Sequence, residues 1–166
     1  MKTISFILIS ALIFVCSCKK HHDNVVPINC DGLVTDTLGT GDTAKIYMVN
    51  AFTPNGDGLN DVCRGIVFGG SSYILTIYDE NNNVVFTGTT HTDYFEPTLP
   101  STYTKYYYKM QVTTAQGHHI GECGDLYAMS CRPSNLTLND LRLEDELTYS
   151  GWTHTTIDTI ANHACQ

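Results

Sequence analysis

From Ala44 to Cys131 the chain is a succession of short alternating apolar segments split by turn-formers. No stretch there has a helical period long enough for an amphipathic helix. The segments are Ala44–Ala51, Val62–Phe68, Tyr73–Tyr78, Val84–Thr87, Thr102–Thr114, His118–Glu122 and Leu126–Cys131. In the first, Ile46, Met48 and Asn50 fall on one side, and Tyr47 and Val49 on the other. Punctuation comes from Pro54 to Gly58, from Gly69-Gly70, from Asp79 to Asn83 and from Ala115-Gln116-Gly117. A long loop, Thr89 to Ser101, carries Pro97 and Pro100. Ten Tyr, six Phe and only 16% charged residues make a palette for strands. This spacing predicts an all-β antiparallel sandwich over residues 44–131.

Residues 132–166 read differently. Leu136, Leu138, Leu141, Leu143 and Leu147 fit a helical stripe in part and a strand pattern in part, so this tail is expected to be irregular or partly helical. Thr137 is placed to cap a turn closed by Asp140. Trp152, the only Trp, is expected to pack the tail onto the sandwich.

The N-terminus carries an export signal. Lys2 precedes an uncharged apolar run, Ile4 to Val15, which is shorter than the roughly 20 residues of a permanent span. Val15-Cys16-Ser17-Cys18 resembles a bacterial lipoprotein box. The resemblance implies cleavage of residues 1–17 and a diacylglyceryl thioether on Cys18, a membrane anchor that also carries a fatty acid such as palmitate. Lys19 to Asn24 reads as a polar spacer within a tether and entry segment, 18–43. His21 and His22 are a candidate metal pair or, on the plainer reading, solvated tether residues. Net charge is −8; losing the single positive charge of Lys2 leaves the mature chain at −9. That acidity argues against nucleic acid as a partner.

Beyond Cys18 the mature cysteines are Cys30, Cys63, Cys123, Cys131 and Cys165. Export makes disulfides the default, and an odd number leaves one thiol free or paired between molecules. Cys63 is expected to pair with Cys123 or Cys131, leaving Cys30 and Cys165 to tie the entry segment to the tail.

Two stretches offer chemistry. Phe52–Asp61 (FTPNGDGLND) places oxygens at alternate positions on Asn55, Asp57, the Leu59 carbonyl and Asp61, as Ca²⁺ loops do. The competing reading is a turn-dense loop whose Asp and Asn side chains cap its own amides. Tyr103, Tyr106, Tyr107 and Tyr108 form the second; alternation puts Tyr106 and Tyr108 on one face and Tyr107 on the other, leaving one side exposed for glycan or peptide. His118 and His119 point to opposite faces and cannot chelate together with Glu122. No GxSxG, HExxH, P-loop or Rossmann glycine pattern is present, so an enzyme is not expected.

Asn50–Val62 (NAFTPNGDGLNDV), Tyr73–Asp79 (YILTIYD), Asn83–Phe86 (NVVF) and Tyr106–Gln116 together resemble the gliding motility-associated C-terminal domain, over about Lys45 to Met129. The chain departs from that family's pattern at Glu80–Asn83 and at His91–Phe95, and about thirty-five residues follow the domain. The resemblance implies an immunoglobulin-like sandwich on a secreted or surface protein, associated with type IX secretion. The expected protein is therefore a lipid-anchored, non-enzymatic module for interaction or attachment at the outer membrane, meeting an envelope protein or a glycan. The alternatives are a component or cargo of the type IX secretion and gliding machinery, and a calcium-stabilised or glycan-binding adhesin.

Overall fold

The structure is a computed structural model that describes residues 30–148 and 150–166. The signal peptide, Cys18 and the spacer lie outside the described residues. The chain is mostly β, in the order β1 (Lys45–Met48), β2 (Ala51–Phe52), β3 (Gly65–Phe68), β4 (Gly70–Tyr78), β5 (Val84–Gly88), β6 (Tyr103–Thr114) and β7 (His119–Met129). Two 3₁₀ turns (Leu138–Asp140 and Glu144–Glu146), the short strands β8 (Leu147–Thr148) and β9 (Gly151–Trp152) and one helical turn, α1 (Thr159–Asn162), make up the tail.

Five strands form one sheet in the order β2-β7-β6-β4-β5, and β1 and β3 form a separate antiparallel ribbon. The β6–β7 ladder runs without a break from Tyr103↔Met129 to Thr113↔His119. The two segments expected at 118–122 and 126–131 are therefore one strand. Gly121, Cys123, Gly124 and Asp125 interrupt the apolar alternation but not the backbone pairing. β2 pairs with β7 in parallel, a departure from an all-antiparallel arrangement. The break at Val49-Asn50 that begins β2 also brings Met48 and Val49 together into the core, overriding the alternation expected for them.

The ribbon lies on one face of the sheet. Met48, Val49, Phe52, Leu75, Ile77, Tyr108, Met110 and Leu126 share one buried cluster. Burying such side chains contributes about 25 cal/mol per Å² of apolar surface, which makes this the main stabilising contact. Gly65 of β3 sits so close to the sheet that a Cβ there would meet Met110 Cε at 2.5 Å. A second cluster gathers Ala51, Met129, Leu141, Leu143 and Ala161. Met129 and Ala51 point away from the first core, so this cluster holds the tail against the opposite face at the β2 edge. Trp152 packs edge-on to Tyr47 at 6.2 Å between centroids, with the Arg142 guanidinium 6.0 Å from its ring. It thus joins the tail to the ribbon.

The disulfide pairing differs from expectation. Cys30 joins Cys123 (Cα–Cα 6.0 Å), Cys131 joins Cys165 (5.1 Å), and Cys63 is free and buried. Register explains this. Cys123 pairs with Lys109 on the face away from the core, whereas Cys63 is in the core, so the two cannot meet. Cys123 instead meets the entry segment, which lies along that outer face through Gln111 bonds to the Val34 amide and carbonyl (both 2.8 Å). Arg132 bridges to the end of the chain, its amide donating to the His163 carbonyl at 2.7 Å, and this delivers Cys165 to Cys131.

Candidate functional site

The turn-rich loop after β2 is held by its own side chains. Asp61 Oδ1 accepts from the Gly56 amide at 2.6 Å, and Oδ2 from the Gly58 amide at 2.7 Å. Asp57 accepts from Asn55 Nδ2 (2.8 Å) and from the Leu59 amide (2.9 Å), and these bonds hold its carboxyl below the usual carboxylate range. The Leu59 carbonyl accepts from the Thr53 hydroxyl at 3.3 Å. Gly56 and Gly58 occupy positive φ (77° and 89°), which lets their amides turn inward.

Of the two readings of Asn55, Asp57, Leu59 and Asp61, the self-capping one accounts for this geometry. Each oxygen of the Asp57 and Asp61 carboxylates accepts from an N–H donor of the loop itself. Among the described residues no group of three or more His, Cys, Asp and Glu side chains is gathered for a metal.

Sequence separation hid how far this loop reaches. Asn60, at φ 55°, is almost buried and ties the loop to the tail. Its Nδ2 donates to Asp145 Oδ1 (3.1 Å) and Asp158 Oδ2 (3.2 Å), while its Oδ1 accepts from the Asp145 amide (3.0 Å). Asp158 also accepts from the Thr53 hydroxyl at 2.5 Å and caps α1 through the Ile160 amide at 2.8 Å. Thr137 and Asp140 close the turn through the carboxylate: Asp140 Oδ2 accepts from the Thr137 amide and from its hydroxyl, each at 2.7 Å.

A hollow of about 470 Å³ opens between Gly58–Val62 and Glu144-Asp145, with Asp61 and Arg64 on its wall. Arg64 and Glu144 form an ion pair there, and the carboxylate raises the guanidinium's affinity for its proton. Beneath it burial pushes the Cys63 thiol up, so Cys63 is an inert apolar group rather than a nucleophile.

The Tyr cluster is less open than alternation alone predicts. Tyr108 is fully buried, donating to Glu122 Oε1 (2.9 Å) and accepting from Arg142 Nη2 (3.2 Å), and burial raises its phenol. Tyr106 meets Phe95 at 5.1 Å. Tyr107 does lie on the opposite face, but it is only 2% exposed, under Lys105 Nζ at 4.9 Å. Tyr103 alone of the four is open to solvent. His118 and His119 do not face each other: their Nδ1 atoms meet Asp42 (3.0 Å) and Asp36 (3.1 Å) of the entry segment.

The hollow lies between two chain segments separated by more than eighty residues, with Asp61, Arg64, Glu144 and Asp145 among its lining residues. No protein-family model, no curated protein and no solved structure matches this chain.

Proposed function

We propose that the chain is a lipid-anchored cell-envelope protein whose β-domain is a non-enzymatic module for interaction or attachment, built as an immunoglobulin-like sandwich. The observation that carries this reading is the junction of two features. A lipoprotein-type leader, residues 1–17, precedes Cys18, and the domain that follows is closed by two disulfides, as suits a chain exported to an oxidising compartment. The ribbon packed over the five-stranded sheet supports the sandwich reading.

The tail bears on how the domain is used. Leu141 and Leu143 complete a core cluster, Cys165 is bonded to Cys131, and Asp145 and Asp158 grip Asn60. The signature loop is thus built into the body of the protein. This favours an anchored module over a detachable sorting signal for the type IX route. Fractionation of host cells tests the reading. Wild type should sediment with outer membranes, and the Cys18→Ala form should leave them. A wild-type protein recovered as soluble material would refute it. Crosslinking in the host should then recover envelope proteins; recovery of secretion or gliding components alone would favour the machinery reading.

A further inference from the structure

The hollow beside Arg64 is one end of a longer groove. A second hollow of about 370 Å³ shares Arg64 and Glu144 with it, and a third of about 340 Å³ shares Val67 and His91 with the second. The groove therefore follows β3 from Gly65 to Val67. Among the described residues β3 pairs only with β1, so its other edge borders this space.

The groove exists because a strand pairing starts and stops. Cys63 and Phe95 form an isolated antiparallel bridge, with N–H···O bonds of 2.9 and 2.8 Å in both directions. Continued, that ladder would set Gly65 opposite Asp93 and Val67 opposite His91. Instead the chain before Phe95 folds into a turn. The Asp93 amide donates to the Thr90 carbonyl (3.0 Å), and Asp93 Oδ2 accepts from the Thr89 and Thr90 amides (2.8 and 2.9 Å). The Tyr73 phenol, its pKa raised by burial, donates to the Thr90 carbonyl and pins the turn from below. Both walls are thus fixed before anything binds, which lowers the ordering cost of binding.

We propose that this groove receives an extended peptide segment of a partner protein, which adds as a strand to the free edge of β3 and sets a Lys or Arg at the Glu144 end. Strand addition uses main-chain bonds for affinity and side-chain pockets for selection. The four residues of β3 span about 13 Å at roughly 3.3 Å each, so with both end hollows a segment of about seven residues fits. Charge selects the partner. Asp61, Glu144 and Asp145 line the first hollow against a single cation, Arg64, and the mature chain as a whole is acidic. The proposal rests on the attachment reading for its place in the cell; binding itself can be tested without it.

The probe is a set of fluorescein-labelled heptapeptides of alternating Val and Thr, with one Lys moved through the seven positions, titrated by anisotropy into the chain from Lys19 onward. At least one register should bind saturably. Replacing its Lys with Glu should weaken it about tenfold or more, and N-methylating its backbone should abolish binding. Glu144→Gln should lose most of the preference for Lys while still binding. Amide exchange on the complex should show new protection at Gly65 and Val67, whose amides face the open edge by alternation from Cys63. Several outcomes would overturn the proposal: no saturable binding across the set, binding indifferent to N-methylation, or protection at β5, the edge of the five-stranded sheet, in place of β3. Self-association protecting β3 without peptide would assign the groove to a second copy, and so would overturn it as well. Loss of peptide binding with normal membrane fractionation would count against this proposal alone.

Discussion

Replacing Asn60 with Ala removes the clasp between the Phe52–Asp61 loop and the tail. Its side chain makes two hydrogen bonds to carboxylates and accepts one from a backbone amide, at 8% exposure. Hydrogen bonds to charged groups contribute about 1.5–3 kcal/mol each and a neutral one about 1 kcal/mol. Water can reach half-buried Asp145 once Asn60 is gone, but Asp158 is 2% exposed and loses a donor it cannot replace. A β-carbon at φ 55° without Asn's local bonding adds about 1 kcal/mol. The expected loss is about 3–5 kcal/mol, a large share of the stability of an ordinary domain. Asn60→Gly loses the same bonds without the backbone strain and should be about 1 kcal/mol less destabilised than Ala. Urea unfolding with the disulfides intact measures both. Fluorescence of Trp152 reports tail docking, and far-ultraviolet circular dichroism reports the sheet. An Ala variant within 1 kcal/mol of wild type would refute the clasp. A Gly variant no more stable than Ala would refute the backbone part of the argument.

Other outcomes follow from the same geometry. Gly65→Ala should cost about 1–3 kcal/mol, because its β-carbon meets Met110 inside a closed core; thermal unfolding of the variant and of Gly65→Ala/Met110→Leu checks this. Asp36 is held below its ordinary pKa first by the His119 amide and then by the His119 ring, and Asp42 by the Thr114 hydroxyl and then His118. A depressed carboxyl stabilises above its unfolded pKa, near 4, and that stabilisation is lost as pH falls through the folded value. Amide exchange over residues 33–42 should therefore rise below about pH 4 before the core opens; release that began instead near pH 6–7 would contradict this. Calcium should leave the melting temperature of wild type unchanged, and Asp57→Ala should be destabilised equally with and without it. A calcium-dependent gap between the two would favour the metal reading of Asn55, Asp57, Leu59 and Asp61.

The strands were legible where alternation was strong. Tyr73–Tyr78 buries Tyr73, Leu75 and Ile77 as its pattern states, and the Asp79–Asn83 turn forms with Asp79 accepting from the Asn81 and Asn83 amides. Reading failed where backbone pairing and side-chain pattern part company. β7 crosses two glycines and an aspartate that look like a break, and β3 begins only at Gly65 because Cys63 is taken by the bridge to Phe95. The disulfides were misassigned because the face on which Cys63 or Cys123 lies depends on sheet register, which spacing alone does not set. The loop itself stood out in the sequence, but Asp145 and Asp158 looked like ordinary acidic tail residues. Their partner lies 85 and 98 positions away, and no local signal links them.

An acyl anchor on a disulfide-closed module leaves its mark in the mass of the mature N-terminal peptide. Protein purified from its host and digested should yield a peptide beginning at Cys18 that carries a diacylglyceryl group, labelled when cells are fed an alkyne analogue of palmitate and unlabelled in Cys18→Ser. A mature chain beginning at any other residue, or an unmodified Cys18 thiol, would contradict the account.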